Sequence, residues 1–580
     1  MSTSVQRSAD VRTVARRAAH QLSALRLGRL RSLRRLLPGA VIVVAIAGST
    51  ALSYYFARDL YFGGDDWDFL LHRGTVSGVD DGLWTPHYGH WSTGVVLAYR
   101  FLFSVAGMSY LPYIAVCWAL HAGNVVVSYH LVRRAGASVG VGLVVAWLVA
   151  FMGAGAEALL WAAVMNLLAS TLFGLGALLV YVVMGDVPRA RLAAWLLLIV
   201  ALSFSGTGIS MVVLVATYVV LRHSFRAGLA LVSVPALAFA GWWLLVGRTD
   251  PPSTISSRGD YLKIPEYFWT GLSHALGSMT GVPETGGVLV IVLIVLPLLA
   301  RGAPETLRYV AAAGVVGALF QMAAATTRVS AGLDWATTGR YAYLTIVMLA
   351  PSLALGLTLV ARSLAVAWWV PTIVGTLCLA IYTLNAATLM KAYHDEEKPF
   401  RTPWEDRLAG LVAAADADEA VLTDQPDPTL NPYLRANLVL TPEGRAAVSG
   451  DATDQSRADA ESLSMVSVGP QTAWLGAPAT VRLALGFDGT IDPDPGCHRY
   501  TAPEGGTPAL ELDTGSRGNE IIVYSPSTKI RTQLVRDDVE SVPREWSVEP
   551  ESAVHVATSA RDATLRITFD QTGSYTICRE

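Results

Sequence analysis

Six aspartates stand between Arg58 and Trp91: Asp59, Asp65, Asp66, Asp68, Asp80 and Asp81. The centre of the stretch reads Gly63-Gly64-Asp65-Asp66-Trp67-Asp68-Phe69. Adjacent carboxylates resist joint ionisation, because each charge makes the next more costly. One pKa of such a pair therefore rises, and a raised carboxylate is a usable general base. Oxygen donors at Asp-x-Asp spacing could equally hold a hard divalent cation, Mg²⁺, Mn²⁺ or Ca²⁺. A solvated acidic loop, or an Asx-turn after the glycine pair, accounts for the same residues without any chemistry.

What must position these carboxylates is a membrane protein. Of the 580 residues, 52% are apolar and only 15% charged, where soluble chains average about a quarter charged. Disorder, a nucleic-acid-binding arm and a disulfide-dense secreted module all fit poorly, and no nucleic-acid partner is expected. The net charge of −3 becomes informative once it is split by position. Residues 1–36 carry nine arginines, Arg7, Arg12, Arg16, Arg17, Arg26, Arg29, Arg31, Arg34 and Arg35, against the single acid Asp10. The apolar run Leu37 to Ala57 that follows is long enough for a bilayer-spanning helix and too long for a signal-peptide core, so the N-terminus is placed in the cytoplasm. Further apolar runs lie near 111–132, 138–153, 158–184, 190–204, 208–222, 227–247, 285–300, 306–325, 340–361 and 365–388, giving about eleven transmembrane helices. Arg133/Arg134, Arg189/Arg191, Arg222/Arg226, Arg301/Arg308 and Arg362 then all fall on the cytoplasmic side. Ser92 to Gly107 is apolar, but counting it as a span would invert this pattern. It is read as an interfacial helix with Arg100 snorkelling to the head groups.

From 391 the long apolar runs stop. Alternating stretches at Ala479 to Phe487, Glu520 to Ser525, Ala563 to Asp570 and Ser574 to Cys578 predict a mostly-β, sandwich-like extracytoplasmic domain over 391–580, joined to the last span by a helix near Trp404 to Ala415. Cys497 and Cys578 fall in this outer domain, where oxidation is permitted, and are expected to pair. Cys117 and Cys378 fall within spans and are expected to be inert core thiols.

An aspartate pair just after the first membrane helix (Asp65-Asp66), a His-led interfacial helix (His90-Trp91-Ser92, then Phe103 to Gly107) and a span closing on Arg133-Arg134 together resemble the GT-C superfamily of membrane glycosyltransferases. Within it the chain is most similar to the bacterial branch that includes protein O-mannosyltransferases and lipid A aminoarabinose transferases. The motif match covers residues 60 to 135. Where such enzymes often have His-Pro-Pro, this chain has His90-Trp91-Ser92. The resemblance implies a GT-C-like catalytic module at 37–390 with its first outer loop at 58–110. It also implies inverting transfer of a sugar from a polyprenyl-phosphate donor to a glycan, lipid or protein acceptor of the cell envelope, at the outer face of the plasma membrane. By position Asp65 matches the superfamily's base, and Asp66 supports it or shares a metal with it. Asp68 could assist coordination or be structural.

A leaving lipid phosphate needs cations on the same side. Arg328 and Arg340, in the outer stretch between 325 and 340, are candidates, with interfacial anchoring as the alternative. His87 and His90 could ligate a metal, but no third ligand is signalled; hydrogen bonding to the donor or to an aspartate is preferred, with plain structural histidines as the alternative. Trp67, Trp84, Tyr88 and Trp91 could stack on sugar faces or belong to an interfacial aromatic belt. Glu157, after Gly153-Ala154-Gly155-Ala156, is costly at a membrane boundary unless used, and it could line the same cavity; Asn166 is a weaker candidate. The outer stretch Arg248 to Glu284, 37 residues long, is expected to be an acceptor-side loop. The competing readings are a transporter or flippase for a lipid-linked glycan, which expects ionisable residues near mid-membrane where His121 and Asn124 are the main polar groups, and a non-catalytic envelope scaffold. The Arg-, Ala- and Gly-rich composition is of the kind common in actinobacteria, so decaprenyl-phosphate arabinose and mannose are the first donors to test.

Overall fold

The computed structural model describes residues 36–73, 75–76, 82–249, 257–299, 304–363, 369–417, 420–470, 477–478, 480–485, 496–502, 507–514 and 519–579. The arginine-rich stretch before Leu36, Asp80, Asp81 and Arg301 lie outside them.

The chain is a multi-pass membrane protein, mostly helical, with a β-sheet region at its C-terminal end. Each apolar run of the sequence becomes a helix: α1 Leu36–Ala57, α3 Tyr110–Arg134, α4 Val139–Ala150, α6 Met165–Met184, α7 Pro188–Phe204, α8 Thr207–Arg222, α9 Phe225–Leu245, α11 Thr285–Leu299, α12 Pro304–Arg328, α13 Gly339–Ser363 and α14 Trp369–Arg401. Among the described residues, seven helices are long and apolar enough to cross a membrane, or eight if one bent pair counts as a single span. The expected eleven exceeds this. α7 has 17 residues and α8 has 16, and at about 1.5 Å per residue neither reaches the roughly 30 Å of a hydrocarbon core unless the bilayer thins around it.

Helix α2, Thr93–Ala106, has 14 residues and is too short to cross. It is apolar on both sides: Val95, Val96, Tyr99 and Leu102 pack inward, while Leu97, Phe101 and Val105 are exposed. Arg100 on this helix donates from Nε to the Arg73 carbonyl at 2.7 Å, so it ties the outer loop down and does not simply reach for head groups.

The stretch expected to be an acceptor-side loop contains instead helix α10, Arg258–Thr280, which turns back on α11 at 106°. Ser257 and Asp260 form a reciprocal capping box at its start. That Ser-x-x-Asp signal was present in the sequence, while Pro265 and the polar first turns masked the helical period.

The C-terminal region begins inside a helix. α14 runs without interruption past residue 391 to Arg401, and helix α15, Pro403–Asp416, packs on α18, Asp454–Ser464. Among the described residues, twelve strands then form two six-stranded sheets. One holds β1 (Val466–Gly469), β10 (Ala553–Thr558), β6 (Asn519–Tyr524), β12 (Gly573–Arg579) and β4 (Gly496–Ala502) in that order, with β2 (Ala477–Pro478) parallel to β6. The other holds β3 (Thr480–Leu485), β5 (Ala509–Asp513), β11 (Thr564–Phe569), β7 (Lys529–Arg536) and β8 (Val539–Glu540), with β9 (Arg544–Ser547) beside β7. Period-two alternation explains the packing. On β11, Leu565, Ile567 and Phe569 are buried, while Arg566 between them points out to Glu511 and Glu540. Phe569 meets Tyr575 of the facing sheet with ring centroids 4.9 Å apart. Cys497 and Cys578 stand opposite each other in the β4–β12 register and are joined as a disulfide. Cys117 is buried, whereas Cys378 is exposed on α14, so only the first is a core thiol.

Candidate active site

The loop after α1 closes into a tight turn followed by a short π-helical segment, Asp68–His72. Gly64 sits at φ +55°, a left-handed conformation that other residues adopt only at a cost. The turn points its three carboxylates in different directions, and their surroundings separate their roles.

Asp66 faces inward and is 0% exposed. One of its oxygens accepts from the Tyr99 hydroxyl at 2.5 Å. The other accepts from the Gly63 N–H at 3.0 Å and from the Trp161 indole at 3.1 Å. Burial, the largest influence, pushes Asp66 up to about 6 against the pull of Arg401, Tyr99 and the Gly63 amide. Beneath it Arg401, the last residue of α14, donates to the Tyr61 carbonyl at 2.8 Å, the Leu160 carbonyl at 3.2 Å and the Tyr110 hydroxyl at 2.6 Å.

Asp68 is also enclosed. Arg73 holds it through Nε at 2.8 Å and NH2 at 2.7 Å, and His87 Nδ1 lies 2.8 Å away. Burial would raise Asp68, but the contact with His87, its charge and Arg73 together hold the carboxyl below its ordinary value. Asp65 is different, with 31% of its side chain exposed. His87 Nε2 stands 3.4 Å from its Oδ2, close enough for a strong charge interaction though poorly aligned for a hydrogen bond. Here too burial works upward, and His87 followed by the Arg340 charge outweighs it, so Asp65 sits below the ordinary carboxylate range.

His87 is thus an imidazole wedged between two carboxylates. Burial disfavours its charge, but Asp65 and Asp68 overcome that and push it up to about 9. It is 5% exposed and its two ring nitrogens face Asp65 and Asp68, the aspartate contact that was one of the two expected for it. His90 goes the other way. Burial, helped by Arg328 and His87, pushes it down to about 4, so it is neutral and offers a phosphate no charge. The two histidines pair through reciprocal backbone hydrogen bonds of 3.1 and 3.0 Å. Tyr88 and Gly89 between them have φ of +48° and +75°, as in a tight I′ hairpin turn.

Arg340, at the start of α13, is gripped by Glu157. One carboxylate oxygen accepts the Arg340 backbone N–H at 2.8 Å and the other its guanidinium at 2.9 Å. Trp161, Trp335 and Tyr341 surround the guanidinium, with ring centroids 5.5, 5.5 and 5.6 Å away. Glu157 is therefore the partner of Arg340, whose guanidinium lies over the ring of Trp161, the indole that donates to Asp66. Arg328 stands 6.0 Å from the centroid of the Tyr88 ring. Asn166 Oδ1 accepts from the backbone N–H of its neighbour Leu167.

The aromatics divide. Trp67 is 0% exposed and its indole N–H bonds Asn431 at 2.8 Å, while Trp91 lies flat on Trp242 at 5.5 Å. Neither is available to stack on a sugar. Trp84 and Tyr88 are exposed. Tyr433, from the C-terminal region, adds a ring 5.8 Å from His87 and 6.3 Å from Tyr88, and its carbonyl bonds His72 Nε2 at 2.8 Å.

The donor set does not fit a metal shared by Asp65 and Asp66. Both oxygens of Asp66 are occupied by hydrogen-bond donors, and His87 fills the space between Asp65 and Asp68. Among the described residues, no group of three or more His, Cys, Asp or Glu side chains is arranged to hold an ion.

Arg401, Asn431, Tyr433, Tyr99, Trp161 and Arg73 complete the site and were not singled out by the sequence. Of these only Arg73 had a local signal, a lone cation five residues after Asp68.

No family model matches the chain, and no curated protein matches it. Among solved structures, the chain is similar to the crystal structure of ArnT from Cupriavidus metallidurans bound to undecaprenyl phosphate. The TM-score is 0.41 and the identity 14%, over 66% of this chain and 81% of that one.

Proposed function

We propose that the chain is a glycosyltransferase that moves a sugar from a polyprenyl-phosphate donor to a hydroxyl of a cell-envelope acceptor, with Asp65 as the general base. The observation that carries this reading is the division of labour among the three carboxylates: Asp66 and Asp68 are consumed by internal partners, while Asp65 is partly open, ionised and faced by the charge of Arg340. The resemblance of residues 60 to 135 to the GT-C superfamily supplies the reaction class.

In this mechanism Asp65 takes the proton of the acceptor hydroxyl as its oxygen bonds to the anomeric carbon. The bond from that carbon to the phosphate oxygen breaks on the opposite face, with inversion, and its electron pair leaves with the polyprenyl phosphate. Arg340, with Arg328 beside Tyr88, stabilises the departing charge. Asp66 supports the turn from beneath. No step requires a metal. The raised carboxylate of the pair is Asp66, which its internal partners enclose, so the base in this reading is the carboxylate that is already ionised and open, not the raised one expected from adjacency.

The topology that goes with this reading has the N-terminus in the cytoplasm and eleven crossings of the plasma membrane, with the bilayer thinned around α7 and α8. It places the first outer loop and the 391–580 region outside. The rival transporter reading draws no support from mid-span groups: His121 and Asn124 are buried and bonded to Tyr343 and to backbone carbonyls.

The test is release of polyprenyl phosphate from decaprenyl-phosphate arabinose and from decaprenyl-phosphate mannose by the purified protein, with candidate acceptors. Asp65→Asn and Asp65→Ala are expected to abolish release while leaving expression and membrane insertion intact. Normal turnover in both variants removes Asp65 as the base.

A further inference from the structure

The turn that carries Asp65 and Asp66 is not held by the membrane part alone. Asn431, a residue of the 391–580 region, reaches it across 367 positions of sequence. Its Oδ1 accepts from the Gly64 backbone N–H at 3.0 Å and from the Trp67 indole N–H at 2.8 Å. These two residues stand immediately before and immediately after the aspartate pair. Asn431 is 2% exposed and Trp67 0% exposed, so the bond between them is buried, while the bond to half-buried Gly64 lies nearer the surface.

The amide's orientation is fixed by its own partners. Asn431 Nδ2 donates to Asp427 Oδ2 at 2.6 Å, its backbone N–H bonds the Asp427 carbonyl at 3.0 Å, and the Leu430 N–H bonds Asp427 Oδ1 at 3.1 Å. With an acceptor on the nitrogen side and two donors on the oxygen side, only one amide orientation satisfies the network. The same segment ends on Tyr433, whose carbonyl holds His72.

We infer that Asn431, oriented by Asp427, is a positioning residue of the active site: it clamps both flanks of the Asp65-Asp66 turn and so sets where Asp65 stands. The inference rests on the glycosyltransferase reading above. It makes the outer region a structural part of the site and not merely an appended module.

The test uses the full chain in nanodiscs and two readouts, turnover of the two decaprenyl-phosphate sugars and hydrogen exchange of the peptide spanning residues 63–72. Asn431→Ala is expected to lower kcat about 10- to 100-fold with little change in KM, as misplacement of a reacting group does, and to speed exchange of that peptide. Asn431→Asp alone sets two carboxylates against each other and is expected to behave likewise. The exchanged pair Asp427→Asn with Asn431→Asp restores a donor facing an acceptor at unchanged net charge, and is expected to recover both turnover and protection. If Asn431→Ala does not fold, Asp427→Asn alone, which withdraws only the orienting carboxylate, carries the same comparison. Unchanged exchange and unchanged kcat in the folded variant overturn the inference, as does failure of the exchanged pair to recover protection. Absence of turnover by the unaltered protein with both donors counts against the glycosyltransferase reading instead, and the exchange measurement still decides the role of Asn431.

Discussion

His87 Nδ1 and Asp68 Oδ2 lie 2.8 Å apart with both side chains 5% exposed. A buried imidazole in such contact with a buried carboxylate is held in its charged form, even though the Arg73 guanidinium contacts the same Oδ2 of Asp68. The pair forms the rigid back of the site, against which the more open Asp65 is set.

That relationship has a pH signature. His87 titrates at about 9 in the folded chain, above the ordinary histidine value near 6.5. Its charge therefore stabilises the fold fully below about pH 6.5, and the contribution disappears as pH rises through about 9, on the order of 3 kcal/mol in all. We expect the Tm in detergent to fall by a few degrees between pH 7 and pH 10, and His87→Gln to flatten that slope. A variant that retains the slope of the unaltered protein would show that another group is responsible.

Asp66 behaves in the opposite sense from its neighbours. Its pKa of about 6 is raised, so the stabilisation belongs to the neutral form, present at low pH and lost as pH climbs through 6. Asp66→Asn, permanently neutral, is expected to match or exceed the unaltered protein in Tm at pH 8. Asp66→Ala strands the Gly63 amide, the Trp161 indole and the Tyr99 hydroxyl, at a cost of about 1–3 kcal/mol for each stranded group. Melting curves of both variants at pH 5 and pH 8 decide this, and a lower Tm for the asparagine than for the alanine variant at pH 8 would contradict it.

Arg340 holds its place through a two-point grip from Glu157 and three aromatic rings, an arrangement that uses the plane of a guanidinium. Lysine cannot reproduce it. With the proposed donors, Arg340→Lys is expected to raise donor KM at least about tenfold, close to Arg340→Ala. Glu157→Gln, which keeps an acceptor for the backbone N–H, is expected to do less. A lysine variant of normal KM would show that only a point charge is needed there.

The Cys497–Cys578 bond joins the edge strand β4 to β12 across a separation of 81 residues. Closing a loop of that length stabilises a domain by about 2–4 kcal/mol. Paired serine substitutions are expected to lower the denaturant midpoint of the sheet region and to raise hydrogen exchange in β4 and β12, with the loop at Gly63 to His72 unaffected. Equal exchange in both strands with and without the bond would count against this.

Much of the fold was legible because it rests on local patterns. Long apolar runs announced the helices, and period-two alternation announced strands such as Thr564–Phe569. Boundaries failed where a pattern was interrupted, as at Pro265 within α10. The candidate site was only half legible. Asp65 and Asp66 stand out by adjacency, but their different fates depend on what approaches through space. Arg401 ends an ordinary helix, and Asn431 sits in a Pro- and Asp-rich turn over three hundred residues away; nothing in the chemistry of either stretch points to the loop at Gly63. The bridging of two carboxylates by His87 is likewise a matter of packing, since no residue type near His87 signals its approach to Asp65 and Asp68.

Helix α14 is 33 residues long, about 50 Å, and ends with Arg401 plugged beneath Asp66. Composition changes at 391, and that position invites a cut that would free the outer region as a separate piece. Such a cut would carry Arg401 off with the outer fragment and away from Tyr61, Tyr110 and Leu160. The membrane fragment would keep every residue of its acidic loop and still lose both the plug under Asp66 and the clamp on Gly64 and Trp67. The two parts are separable as text but not as a working object.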